Sequence, residues 1–148
     1  MKVCLACSAG GHLTELTQLE EAYGKYDHFF VTFRRLDTEQ LSKKERVYFV
    51  ADPKRNPLKL FYNSLQNLCI LIKERPKAII TTGAGVSVPL CILSKLFLAK
   101  IIFIDSFCRT EELSASGKSL YKIADIFLVQ WEGLIKKYKK AIYRGAVF

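Results

Sequence analysis

Two short glycine turns are the places where this chain could do chemistry: Ser8-Ala9-Gly10-Gly11-His12 and Thr82-Gly83-Ala84-Gly85-Val86-Ser87. Glycine lets a backbone approach an anion closely and adopt positive φ, and a helix starting after such a turn aims unpaired N–H groups and a positive dipole end at the same point. Two such turns on one rim would clamp a diphosphate through Gly10, Gly11, Gly83 and Gly85, with Ser87 and Ser106 as neighbouring ligands of the same anion. His12 sits where the first helix should begin. A neutral imidazole there can serve as a general base or hydrogen-bond a sugar or phosphate; the plainer alternative is a histidine packed against a turn. Asp105 follows the apolar run 101–104 directly, so it should reach the same rim, as a base or as an acceptor for sugar hydroxyls. Aspartate at a strand end is also a common turn former.

Other chemistries lack their signatures. Neither glycine turn completes GxGxxG or GxxxxGK[ST], and Gly83-x-Gly85 has no third glycine. There is no Gly-x-Ser-x-Gly, no Asp-x-Asp and no Cys/His/Asp cluster with ligand spacing, so neither a metal nor another cofactor is expected. Cys4-x-x-Cys7 looks like a redox or zinc pair, but both residues fall in one apolar strand, on opposite faces, with no second pair to complete a site.

Short apolar runs alternate with helical patterns. Strands are expected at 2–7, 28–33, 47–50, 78–81, 101–104 and 126–130, with helices after the first glycine turn and over Pro57–Glu74, 86–98 and 116–124. A polar, helix-compatible stretch joins the second and third strands, and residues 131–148 form a basic tail. This βα alternation implies an α/β fold: a single Rossmann-like, doubly wound parallel sheet occupying residues 1–148 as one domain. In such sheets ligands sit beyond the carboxyl ends of the strands, where both glycine turns fall.

The chain has 148 residues, 50% of them hydrophobic, which excludes disorder, and a formal charge of +9. The excess is concentrated: residues 54–77 hold Lys54, Arg55, Lys59, Lys73, Arg75 and Lys77 against Glu74 alone. Within Pro57–Glu74, Leu58, Phe61, Tyr62, Leu65, Leu68, Cys69 and Ile72 follow the spacing of a buried stripe, and Asn63, Gln66 and Asn67 mark the expected solvent side. Leu60 and Leu71, eleven residues apart, share a second apolar face. Ringed by Lys54, Arg55 and Lys59, that face is expected to dip into a membrane surface, unless a neighbouring element covers it. No run reads as a membrane span or a secretory signal, so peripheral attachment at the cytoplasmic face is the expected location. Basic charge also suits a nucleic-acid-binding module, but the aromatics fall mostly in apolar strands and helices rather than on a basic face.

Four segments together resemble a known family. They are Ser8-Ala9-Gly10-Gly11-His12-Leu13-Thr14-Glu15-Leu16, Gly83-Ala84-Gly85-Val86-Ser87-Val88-Pro89, the stretch from Phe103 to Arg109 with Leu113 to Tyr121, and Ala124 to Trp131. They are similar to the acceptor-side subunit of split GT-B glycosyltransferases, of the Alg-fourteen type in dolichol-oligosaccharide synthesis and the PssD/CpsF type in bacterial polysaccharide synthesis, and to the N-terminal half of MurG. The resemblance implies a half-enzyme that binds membrane and a lipid-diphosphate acceptor, while a separate donor-binding subunit supplies the nucleotide-sugar site. The implied reaction is inverting, metal-independent transfer of a sugar, N-acetylglucosamine in particular, from a UDP-sugar to a polyprenyl- or dolichyl-diphosphate-linked sugar. His12 and Asp105 match positions near the acceptor, and the resemblance leaves open which is the base. The chain alone is expected to be inactive, with its tail holding the partner.

Overall fold

The computed structural model describes residues 1–54 and 56–147; Arg55, one of the expected lipid-facing cations, and Phe148 lie outside them. The strands are β1 (Lys2–Ala6), β2 (Asp27–Thr32), β3 (Val47–Phe49), β4 (Ala78–Thr81), β5 (Lys100–Ile104), β6 (Ile126–Val129) and β7 (Ile142–Tyr143). They form one sheet in the order β3-β2-β1-β4-β5-β6-β7, with every neighbouring pair parallel. The helices are α1 (Gly11–Thr17), α2 (Glu20–Tyr23), α3 (Leu36–Leu41), α4 (Pro57–Glu74), α5 (Val88–Ser94), α6 (Ala115–Leu120) and α7 (Gly133–Lys137). The expected doubly wound α/β sheet is therefore present. The order reverses between β1 and β4, which puts the switch point beside both glycine turns.

Strand alternation builds two cores. Cys4 and Ala6 of β1 join Phe29, Ile79, Ile101, Phe103 and Phe127 on one face, under α4, α5 and α6. Val3, Leu5 and Cys7 join Phe30, Leu13, Leu16 and Tyr23 on the other, under α1 and α2. Cys4 and Cys7 thus lie on opposite faces, and burial pushes the Cys7 thiol up to about 12 and the Cys4 thiol well above its ordinary value. The second face is covered only in part: Ile80, Ile102 and Leu128 remain half-buried and Ile126 is exposed.

Two local features differ from expectation. The helix expected over 86–98 is α5 followed by a 3-10 turn, Lys95–Phe97, which stops where Leu98 adopts a left-handed φ of 55°. The tail forms α7 and then a two-residue edge strand, β7, too short to register as a periodic pattern.

The larger difference is the orientation of α4, whose bounds match expectation but whose faces are reversed. Leu58, Phe61 and Ile72 are 80%, 66% and 52% exposed, with Tyr62, Leu65 and Cys69 on the same outer stripe. Asn63 and Asn67 are fully buried. Beside buried Ile70 and Leu71, the inner face carries polar groups that are held by specific partners, Asn67 Oδ1 excepted. Asn63 Nδ2 donates to the Ala51 carbonyl at 2.7 Å, Ala51 N–H donates to Gln66 Oε1 at 2.8 Å, and Asn67 Nδ2 donates to Asn63 Oδ1 at 2.7 Å. Glu74 receives Lys2 Nζ at 2.7 Å and the Tyr48 hydroxyl. Periodicity locates a stripe but not the side that faces the protein. Leu60 and Leu71 do share a face, but it is the inner one: Leu71 is 0% exposed in the core, whereas Leu60, 45% exposed, opens onto the sheet's carboxyl rim. The exposed apolar stripe of α4 is therefore Leu58, Phe61 and Ile72 rather than the expected Leu60 and Leu71 pair.

Asp125 ties the far side of the sheet together. Its Oδ2 receives Lys95 Nζ at 2.6 Å and Ile101 N–H at 2.7 Å. Burial alone would raise its carboxyl pKa; Lys95, the Ile101 N–H and Lys100 outweigh that and hold it down at about 2. A carboxyl lowered by folding stabilises the native state above its unfolded value near 4 and loses that contribution as pH falls toward 2. Discounted for partial exposure, the contribution is on the order of 1–2 kcal/mol at neutral pH. Asp125→Asn should lower the midpoint of thermal unfolding at pH 7 and flatten the acid limb of stability between about pH 4 and 2.

Candidate functional site

The two glycine turns meet at the carboxyl ends of β1 and β4. Thr82 Oγ1 donates to the His12 carbonyl at 2.8 Å, joining segments 70 residues apart. Beside this bond opens a cavity of about 560 Å³. One wall is apolar, from Pro53, Pro57, Leu60 and Val88; the other carries His12, Arg109, Ser114, Ser116, Ser119 and the Ala84–Gly85 backbone. Arg109 holds the only permanent charge among these lining residues. His12 Nδ1 is shielded from bulk water and has no partner among the described residues, an unmet requirement that a ligand hydroxyl could satisfy. An apolar wall facing a hydroxyl-rich, singly cationic one suits an amphiphile with an anionic, hydroxyl-bearing head.

The glycines divide into two pairs. Gly10 has a φ of 84°, and its N–H donates to Asp37 Oδ2 at 2.7 Å, so the protein's own carboxylate occupies the place expected for a phosphate. Gly83 has a φ of 98° and its N–H donates to Thr81 Oγ1 at 2.9 Å; a Cβ there would lie 2.7 Å from Ser116 Oγ. These two serve turn geometry and close packing. Gly11 and Gly85 are exposed, with open space where a side chain would be, and Gly85 lines the cavity. Ser87 is also internal: 1% exposed, its hydroxyl bonds the carbonyls of Gly83 and Ala84. Of the six expected diphosphate ligands, then, Gly10, Gly83 and Ser87 are committed elsewhere.

Asp105 reaches the rim but does not line the cavity. It is 1% exposed. Its Oδ1 accepts from Ser114 Oγ at 2.5 Å and Ser106 N at 3.1 Å, and its Oδ2 accepts from Ser114 N at 3.1 Å. Ser114 in turn caps α6, accepting from Gly117 N at 2.9 Å. Ser116, one residue into α6, accepts the Ala84 N–H at 3.1 Å. Asp105, expected as a candidate base, is instead buried against α6, which it fastens through Ser114, and Ser116 of that helix holds the second glycine turn. Ser106 is likewise occupied, donating to Glu15 Oε1 at 3.1 Å.

Glu15 was not singled out by sequence reasoning. It is 4% exposed, receives Phe107 N at 3.0 Å besides the Ser106 hydroxyl, and anchors the 106–107 loop to α1. Its signal was present, since a carboxylate three residues after His12 shares that helix face. Ser116 and Ser119 are three residues apart on one face of α6 and Ser114 is its cap, yet only the fold shows that all three line the cavity. Among the described residues no three His, Cys, Asp or Glu side chains converge as a metal ion would require.

Comparison with known proteins places this architecture. The chain is 36% identical over 93 residues to the UDP-N-acetylglucosamine transferase subunit ALG14 of Mus musculus, covering 59% of this chain and 43% of that protein. It is 38% identical over 99 residues to the corresponding subunit of Schizosaccharomyces pombe, covering 62% and 47%. The chain thus spans less than half the length of these relatives. In fold it is similar to UDP-N-acetylglucosamine 2-epimerase from Rickettsia bellii, with a TM-score of 0.76, 16% identity, and 99% of this chain and 45% of that one covered. It is also similar to Acinetobacter baumannii MurG, with a TM-score of 0.73, 11% identity, and 90% and 43% covered. The family model described as "Oligosaccharide biosynthesis protein Alg14 like" matches residues 55–147, from α4 to the tail, leaving His12 and the first glycine turn to the fold comparison. The chain belongs to the Alg14-like family of oligosaccharide biosynthesis proteins.

Proposed function

We propose that this chain is the acceptor- and membrane-binding subunit of a UDP-N-acetylglucosamine transferase acting on a polyprenyl- or dolichyl-diphosphate-linked sugar. The observation that carries the reading is the cavity of about 560 Å³, mostly apolar but with His12, Arg109 and three serines in its lining, opening next to the exposed apolar stripe of α4. A lipid-linked diphosphate sugar has the matching parts: an isoprenoid chain for Leu60 and Val88, an anionic diphosphate for Arg109 and the free Gly85 backbone, and sugar hydroxyls for His12 and the serines. In the reaction the acceptor hydroxyl attacks the anomeric carbon of the donor sugar, UDP leaves with the bonding pair, and the hydroxyl proton passes to His12. No helix among the described residues is long and apolar enough to cross a membrane, so attachment through the α4 stripe at the cytoplasmic face fits this assignment.

A second subunit supplies the nucleotide-sugar site in this reading. Its support is that the relatives are named as transferase subunits, together with the open sheet face over Ile80, Ile102, Ile126 and Leu128, an apolar area for a partner to cover. The test is reconstitution: the chain co-expressed with a donor-binding subunit should transfer sugar from UDP-N-acetylglucosamine to a dolichyl- or polyprenyl-diphosphate-linked sugar. Either subunit alone should be nearly inactive. Robust turnover by this chain without a partner would overturn the division of labour.

A further inference from the structure

A second cleft lies on the opposite side of the α4 N-terminus. About 600 Å³ in volume, it is lined by Arg34, Arg35, Lys54 and Lys59 with Phe33, Val50, Ala51, Asp52 and Tyr62. Four cations from three separate segments thus surround one lining carboxylate. Lys54 and Lys59 make no ion pair among the described residues. Lys54 holds a left-handed φ of 41°, a conformation that a lysine adopts at some cost. Arg34 is held in place from outside, its guanidinium 4.6 Å from the Phe49 ring centroid and 3.1 Å from Glu39 Oε1. Arg34 and Arg35 still leave 68% and 61% of their side chains open to solvent. Arg34 and Arg35 have Glu39 and Asp37 beside them, at 3.1 and 3.7 Å, but Lys54 and Lys59 add two more positive charges, and an anion seated among the four relieves the repulsion that remains. The planar arginine fork matches the oxygens of a phosphate bidentately. Tyr62, 58% exposed, lines the cleft and begins the outer apolar stripe of α4 with Phe61 and Leu58.

We propose that this cleft binds the phosphodiester headgroup of an anionic glycerophospholipid whose acyl chains lie against the α4 stripe. This deepens the membrane-docking reading and rests on it for the acyl contact, but it adds a stoichiometric site and two residues, Arg34 and Arg35, outside the basic segment 54–77.

The test uses the full chain and dihexanoyl phosphatidylglycerol below its micelle concentration, followed by amide and arginine NMR shifts. Saturable one-site binding with shifts at Arg34, Arg35 and Lys59 is expected, and Arg34→Gln/Arg35→Gln should weaken it at least tenfold. Lys59→Gln is a second variant should the arginine pair disturb the loop. Equal affinity for dihexanoyl phosphatidylcholine, equal affinity for inorganic phosphate, or no saturable binding would each overturn the proposal. Vesicles separate the two readings. Leu58→Gln/Phe61→Gln should lose phosphatidylglycerol vesicles while still binding the short-chain lipid. If that variant keeps its vesicles, the docking stripe is wrong, and the short-chain titration alone decides the cleft.

Discussion

Replacing Leu58 and Phe61 together by glutamine should weaken binding to anionic vesicles on the order of 100-fold without lowering the unfolding midpoint. Both side chains are more than half exposed, so the folded protein loses almost no packing when they change. On a membrane each would transfer its apolar surface out of water, and full burial of such a side chain is worth about 1.5–3 kcal/mol. Partial insertion of two accounts for the expected loss, since about 1.4 kcal/mol is tenfold. Leu71→Gln is the control with the opposite signature. Leu71 is fully buried, so the change removes core packing and buries an unpartnered amide, at a cost of about 3–5 kcal/mol. Vesicle flotation beside thermal unfolding separates the two. A Leu58→Gln/Phe61→Gln protein that floats like the parent would remove α4 from membrane binding.

His12→Ala and Asp105→Ala should also part company, although sequence reasoning gave them the same standing. In the reconstituted transferase, His12→Ala should reduce transfer by about 10²–10⁴-fold, the usual worth of a positioned proton acceptor, with little change in stability. Asp105→Ala strands three donors in a buried loop, Ser106 N, Ser114 N and Ser114 Oγ, and should cost about 3–5 kcal/mol of folding free energy. Its activity loss should therefore track the unfolded fraction and be recovered in part by lowering temperature. If Asp105→Ala keeps its unfolding midpoint yet loses transfer as His12→Ala does, Asp105 belongs to the chemistry. Full activity in His12→Ala would remove the imidazole from the mechanism.

These contrasts mark where one-dimensional reading stops. Strand runs such as 101–104 were legible because a parallel sheet buried on both sides needs near-continuous apolar segments, and their alternation with helical patterns pointed to a βα sheet. The bounds of α4 were legible too, with Asn56 as its cap, the Asn56 side chain accepting from Leu58 N and Lys59 N. What a single helix cannot encode is which way it faces. The buried side of α4 carries polar groups because Ala51, Lys2 and Tyr48 lie opposite Asn63, Gln66 and Glu74; Lys2 and Tyr48 come from β1 and β3, and Ala51 from the segment that leads into the helix. The site shows the same division. That two glycine turns would share a rim followed from topology. Which of their N–H groups stayed free did not, because Asp37 and Thr81, which occupy two of them, carry no motif.

Ser116 Oγ stands 2.7 Å from where a Cβ on Gly83 would sit, and the same oxygen receives the Ala84 N–H. One jaw of the cavity is therefore welded shut against its neighbour, with no slack to follow a bulkier or slimmer guest. If the cavity holds the proposed lipid carrier, fit to its girth falls to the opposing jaw of Pro53, Pro57 and Leu60, and swapping Leu60 for a smaller or larger residue is the natural way to retune it.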